Sequence, residues 1–129
     1  MAKLRLFISF DYDRDEDLRN LLVGQARNPD SPFDIADWLV KEPLTGNWQE
    51  KVRTRIRSVE SVAVICGEYT DTAVGVSVEV QMAQEVRKPY FLLRGRRDKV
   101  IKKPKAARES DTIYDWTWDN LKKLIGGAR

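Results

Sequence analysis

The chain has 129 residues, 42% of them hydrophobic, with four tryptophans and a formal net charge of +3. We expect one domain over residues 1–129 with a hydrophobic core. Histidine is absent and Cys66 is the only cysteine, which excludes histidine-dependent triads, most zinc sites and a disulfide framework. No apolar run approaches the ~20 residues that span a bilayer, and no signal peptide is visible, so we expect a cytoplasmic protein without a membrane partner.

The first half of the chain predicts two strands and two helices. LRLFISF (residues 4–10) is typical of a buried strand, and the acidic loop DYDRDED leads into a helix that starts near Asp15 or Asp17. The alternation in FDIADW (residues 33–38) predicts a short strand. Asn47 then resembles an N-cap, with Glu50 three residues later and apolar residues at helical spacing after it.

The stretch GVSVEVQMAQE (residues 75–85) has two interpretations. As a strand its valines alternate with polar residues, and Glu79 points to water. As a helix its valines share one arc with Glu79, the only charge within that arc. The buried strands SVAVICG (residues 61–67) and YFLLR (residues 90–94) flank it, and a parallel crossover between them is usually helical. We therefore predict a helix over residues 73–86, with Asp71 or Thr72 as its simplest cap.

The last third of the chain carries a concentration of positive charge. Ten basic residues and one acid lie between Arg87 and Arg108, whereas the other 13 basic and 19 acidic residues leave a balance of −6. Such a segment can meet a polyanion, but no aromatic follows Phe91 within it, so a stacking surface for single strands is not indicated. A solvated loop is the simpler interpretation, and nucleic-acid binding through residues 94–108 is a weaker alternative that stays open. DTIYDWTWDNLKKLIGG then predicts a closing helix capped by Asp115.

These elements predict an α/β domain, a flavodoxin-like three-layer fold with a mainly parallel central sheet. Ligands in such folds bind at the carboxyl ends of the strands. That rule gathers residues 10–14, residues 37–38 and residues 67–72 around one opening, which Glu79 can reach from its helix. Cys66 ends a buried strand without a base partner, so we do not expect a nucleophile there.

Three stretches resemble the TIR-like domain family of the Thoeris anti-phage defence protein ThsB. The first strand ends in FISF, GVSVEVQMAQEVRKP follows the family pattern WVxxEIxxAxxxxKP, and the C-terminal YDWTWDNL is also similar. The likeness covers nearly the whole chain. In TIR-type enzymes that cleave NAD⁺ the glutamate of this pattern is catalytic, and here it is Glu79. One departure is Gly75, which stands where many TIR domains have tryptophan.

The resemblance implies an activity and a set of partners. ThsB-like members cut NAD⁺ as substrate, without a cofactor or metal, and cyclise the product into an ADP-ribose signal for a separate effector. Self-association and a phage-derived trigger are further implied partners. The leaving nicotinamide is neutral, so a chain without histidine can perform this chemistry. Besides catalytic Glu79, we predict these substrate-binding residues: Phe10, Asp11, Tyr12, Arg14, Trp38 and Thr72.

Other interpretations remain open at this point. Glu79 can serve a structural salt bridge to Arg87 or Lys88. The chain can be a non-catalytic TIR-like signalling or assembly module that recognises an infection cue or binds nucleotide. A receiver-like phospho-acceptor shares the fold and the acidic loop, but it requires an aspartate after the central strand, where SVAVICGEY has none.

Overall fold

The computed structural model describes residues 4–11, 14–31, 33–35 and 48–125, with the backbone alone for residues 48 and 49. Within these residues five parallel strands form one sheet: β1 (Leu4–Ser9), β2 (Phe33–Ile35), β3 (Ser61–Cys66), β4 (Tyr90–Arg94) and β5 (Ile113–Asp115). The strand order across the sheet is β2-β1-β3-β4-β5. The predicted α/β fold with a parallel sheet is therefore confirmed.

Four α-helices cover the two faces of this sheet in the described part of the chain. They are α1 (Glu16–Ala26), α2 (Trp48–Ser58), α3 (Val74–Glu85) and α4 (Trp118–Ile125). One buried cluster joins α1 and α4 to one face, and a second joins α2 and α3 to the other. None of these helices is long and apolar enough to cross a membrane.

The first strand divides its side chains between the two faces. Leu6 and Ile8 lie in the cluster with α1 and α4, whereas Phe7 lies in the cluster with α2 and α3. All three are almost fully buried. A central strand of a parallel sheet is covered on both faces, which explains its continuous apolar run.

The disputed stretch is a helix, as topology predicted. β3 and β4 are parallel neighbours, with Val62 opposite Tyr90, so the chain between them must return along the sheet. Val76, Val80 and Ala83 of α3 are buried against the sheet. The alternating valines would suit a strand, but the segment forms a helix because this face of the sheet has to be covered.

Two predicted caps are wrong. Asp115 ends β5, an edge strand that the sequence did not indicate, and Thr117 begins the last helix because its Oγ1 accepts a hydrogen bond from the Asn120 N–H at 3.1 Å. Neither candidate caps α3. A 3₁₀ turn over Thr70–Thr72 precedes it, and Ala73 in an extended conformation is the N-cap. The predicted Asn47 cap and the strand beyond Ile35 lie outside the described residues.

A close backbone approach at the end of β4 requires a glycine. The Gly95 N–H donates to the Cys66 carbonyl at 2.9 Å. A Cβ at Gly95 would lie 2.6 Å from a Leu18 methyl carbon and 2.9 Å from that carbonyl oxygen. The connection after β4 can therefore lie against both α1 and the end of β3 only without a side chain at this position.

Gly95→Ala should lower the free energy of unfolding by about 1–3 kcal/mol, because backbone atoms cannot move aside cheaply. Gly24→Ala is the matched control, since an added Cβ in α1 meets nothing within 4 Å. The control should raise stability by about 0.5–1 kcal/mol through helix propensity. Urea unfolding measures both, and equal effects would contradict the packing described here.

Candidate functional site

The sheet reverses its strand order between β1 and β3. The chain leaves β1 toward β2 on one side and leaves β3 toward β4 on the other. In open α/β sheets such a reversal creates a crevice at the carboxyl ends of the strands, where ligands bind. Ser9 ends β1, and the residues after Cys66 leave β3 beside it, so both loops border this crevice.

A hydrogen bond at this point joins the sheet to α3. The Ser9 hydroxyl donates to Glu79 Oε1 at 2.7 Å, and both residues are buried, with Glu79 only 9% exposed. Ser9 points to the same face as Phe7, two residues earlier, which is the face that α3 covers. Within the described part of the chain no ion pair joins Glu79 to Arg87 or Lys88. The structural salt bridge considered from sequence is absent there.

Gly75 leaves space beside this carboxyl group. It lies four residues before Glu79 and therefore on the same side of α3. A Cβ at Gly75 would meet no atom within 4 Å. A larger side chain at this position would therefore begin in open space.

Arg14 connects the loops after β1 and β3. Its Nη1 lies 3.1 Å from Oδ2 of the buried Asp11. Its guanidinium carbon lies 4.7 Å from the centre of the Tyr69 ring, at cation–π distance. Tyr69 is 51% exposed, so the crevice has an aromatic side chain at its border. Sequence reasoning missed Tyr69, although its position directly after a buried strand was a usable signal.

A second charged group stabilises the same edge. Arg96 Nη2 lies 3.3 Å from Asp15 Oδ1 and 3.0 Å from Asp17 Oδ1, and it donates to the Arg14 carbonyl at 3.1 Å. Asp15 is buried against Gly67, where an added Cβ would lie 2.4 Å from its carboxylate oxygen. Arg96 thus fixes the start of α1 to the connection that follows β4.

The two aspartates beside Arg96 differ in their environments. Burial raises the pKa of Asp15 above its usual value, and the attraction of Arg96 only partly offsets this. The hydrogen bond from Arg96 lowers the pKa of the exposed Asp17. Arg96 itself has a raised pKa, mainly because of the hydrogen bond to Asp17. Burial therefore shifts the pKa of Asp15 and the Arg96 hydrogen bond shifts the pKa of Asp17 in opposite directions.

The predicted substrate-binding residues fall into different surroundings. Asp11 and Arg14 meet at the crevice. Phe10 is 3% exposed and lies in the cluster with α1 and α4, so its ring faces the core rather than the opening. Thr72 is exposed, and its hydroxyl donates to the Tyr69 carbonyl at 2.8 Å. Tyr12 and Trp38 lie outside the described residues.

Cys66 does not offer a nucleophile to this site. Its side chain is fully buried, and desolvation raises the pKa of the thiol to about 12. In the described ranges no group of three or more Cys, Asp or Glu side chains could hold a metal ion.

The chain is similar to a known protein family and to a solved structure. The model of the family described as "Thoeris protein ThsB, TIR-like domain" matches residues 7–100. The crystal structure of a prokaryotic SEFIR domain has a similar fold, with a TM-score of 0.56 and 15% sequence identity over 96% of this chain and 88% of that one. No curated protein matches the chain. The protein is thus a TIR-like module of the defence and signalling type. It belongs to the family of the Thoeris protein ThsB.

Asp15→Asn and Asp17→Asn should change the pH dependence of the free energy of unfolding in opposite directions. Because the pKa of Asp15 is raised, its protonated form stabilises the folded state. This stabilisation is complete below the unfolded-state pKa of about 3.8 and is lost as the pH rises through the folded-state pKa. Asp15→Asn avoids that loss, so its stability relative to the wild type should increase above pH 4. Asp17→Asn should lose relative stability as the pH rises, because the lowered pKa of Asp17 stabilises the charged form.

Urea unfolding between pH 3 and pH 8 gives both differences. The raised Asp15 pKa requires the two variants to diverge from the wild type in opposite directions. Parallel profiles for the two variants would contradict the different environments assigned to these carboxyl groups.

Proposed function

We propose that this domain cleaves the nicotinamide–ribose bond of NAD⁺ and forms a cyclic ADP-ribose-type signal, with Glu79 as the catalytic carboxylate. The supporting observation is the placement of Glu79. It is a buried carboxyl group hydrogen-bonded by Ser9 at the carboxyl end of β1. That position borders the crevice where ligands bind in this type of sheet. Membership in the ThsB family supports this proposal, because the sequence around Glu79 resembles the pattern that carries the catalytic glutamate in TIR-type enzymes.

The reaction suits a single carboxylate. The bond between the ribose anomeric carbon and the nicotinamide nitrogen breaks, and its electron pair leaves with nicotinamide, which becomes neutral. No general acid is needed. The sugar develops oxocarbenium character, and an anion held beside it in a partly dry site stabilises that charge. The hydrogen bond from Ser9 fixes the orientation of Glu79 before the substrate arrives.

The cation has two possible fates. If water adds, a proton is released and linear ADP-ribose forms. If an adenine nitrogen or a ribose hydroxyl oxygen of the same molecule attacks first, a cyclic isomer forms. Cyclisation therefore needs a site that folds the substrate and keeps water from the anomeric carbon. The cyclic product would be the diffusible signal that activates a separate effector.

Tyr69 and Arg14 are the groups that suit the rest of the substrate. The half-exposed Tyr69 ring offers a surface on which adenine or nicotinamide can stack. Arg14 uses one nitrogen for Asp11 and is about half exposed, so further N–H donors can meet the pyrophosphate. Arg14 and Tyr69 already contact one another, which places a base surface and a phosphate donor side by side.

Glu79→Gln should lower nicotinamide release from NAD⁺ by roughly 10³-fold, because the neutral amide cannot stabilise the cation. Ser9→Ala should lower kcat by about tenfold, because Glu79 loses an orienting donor. Glu85→Gln is the matched control on the same helix. Its carboxylate is exposed and pairs with Arg53, so activity should be unchanged. Nicotinamide release and the masses of the nucleotide products provide the readout.

Activity that survives Glu79→Gln would remove Glu79 from the mechanism. An inactive wild type calls for the same assay with lysate of phage-infected cells, since the family implies a trigger. Inactivity there as well would favour a non-catalytic signalling module that acts through self-association.

Tyr69→Ala should raise KM for NAD⁺ by about tenfold with little change in kcat, because stacking on the base is worth about 1–1.5 kcal/mol in both ground and transition states. Tyr69→Phe keeps the ring and should behave like the wild type. Equal KM values in all three proteins would show that the base lies elsewhere.

A further inference from the structure

The basic segment is attached to the body of the domain along its length. We call residues 96–108 the basic strap. At its middle, the Lys102 N–H donates to the Gly67 carbonyl at 3.0 Å. Further on, Gln84 Nε2 donates to the Ala106 carbonyl at 2.9 Å, and the Ala106 N–H donates to Ser77 Oγ at 3.4 Å. The strap therefore follows the outer side of α3.

The inner side of the strap is apolar. Ile101, Ala106 and Ala107 pack against the cluster formed by α2 and α3, and Pro104 is buried. The end of the strap is fixed by the Arg108 N–H, which donates to Asp111 Oδ2 at 2.8 Å. The segment is a largely exposed loop, as the sequence predicted, and these contacts additionally attach its backbone to the domain.

The outer side of the strap carries mainly positive charge, with Asp98 as its one exposed acid. Within the described part of the chain, none of its exposed basic side chains forms an ion pair with a carboxylate. Arg96, by contrast, is fully engaged with Asp15 and Asp17. The exposed side chains are those of Arg97, Lys99, Lys102, Lys105 and Arg108.

We propose that the outer side of the basic strap binds the phosphodiester backbone of a duplex nucleic acid. A duplex presents about one negative charge per 1.7 Å, so the exposed basic side chains of the strap can meet several phosphates at once. Phosphate contacts require no base-reading helix, and the strap contains none. Binding is therefore independent of sequence.

Other polyanions fit the strap less well. Single strands need aromatic stacking surfaces, and no aromatic residue occurs between Phe91 and Tyr114. A protein partner needs an apolar interface core, whereas the strap exposes one large hydrophobic side chain, Val100, at 72%. An acidic protein is thus the alternative that the experiment has to separate from a duplex.

The test measures fluorescence anisotropy of labelled 20-base-pair DNA and RNA duplexes with the wild-type protein between 50 and 200 mM salt. With about four or five phosphate contacts, log K should fall with log salt at a slope of about −4, a loss on the order of 10²-fold over this range. Lys99→Ala, Lys102→Ala and Lys105→Ala combined should make the slope shallower by about three and weaken binding at 50 mM salt at least tenfold.

A matched triple variant controls for net charge. Arg27→Ala, Lys51→Ala and Lys123→Ala remove three exposed cations from three different helices or their ends. This control should bind duplexes like the wild type. Circular dichroism confirms folding, since all six side chains are exposed.

Three results would overturn the proposal. They are no duplex binding at 50 mM salt, equal losses in the two triple variants, or tighter binding to a poly-glutamate peptide than to both duplexes. The last result would assign the strap to an acidic protein. None of these measurements uses NAD⁺, so the proposal stands or fails independently of the proposed activity.

Discussion

The site depends on one hydrogen bond between residues that are 70 positions apart. Ser9 at the end of β1 donates to Glu79 on α3, and both are buried. This contact is possible because β1 and β3 are parallel neighbours and the crossover after β3 places a helix over the same face. A carboxyl group in such surroundings must be partnered, so the fold fixes its direction as well as its position. Any chemistry at Glu79 uses an orientation that folding has already set.

The two arginines at the crevice, Arg14 and Arg96, make different contacts. Arg96 holds Asp15 and Asp17 and so joins the start of α1 to the segment after β4. Arg14 pairs with Asp11, contacts Tyr69 and is about half exposed. The basic strap continues from Arg96 along α3, the helix that carries Glu79. The proposed partner of the strap would thus bind a segment that is hydrogen-bonded to α3 at Ser77 and Gln84.

The sequence predicted features that repeat locally and missed those that depend on distant contacts. Buried strands follow from apolar runs, and α3 followed from topology although its valines alternate. Glu79 was found because it is the only charge in an apolar arc and because a family motif marks it. Ser9 and Arg96 were missed, since their partners lie 70 and 81 residues away. The cap predicted at Asp115 is wrong because a short edge strand, which pairs with β4, includes that position.

The most direct test of the central claim is a crystal structure with an unreactive NAD⁺ analogue in which carbon replaces the ribose ring oxygen. If Glu79 is the catalytic carboxylate, the nicotinamide ribose hydroxyls should lie within hydrogen-bond distance of Glu79, with a base against Tyr69. An analogue bound away from the crevice between β1 and β3, with Glu79 contacting Ser9 but no ligand atom, would contradict it.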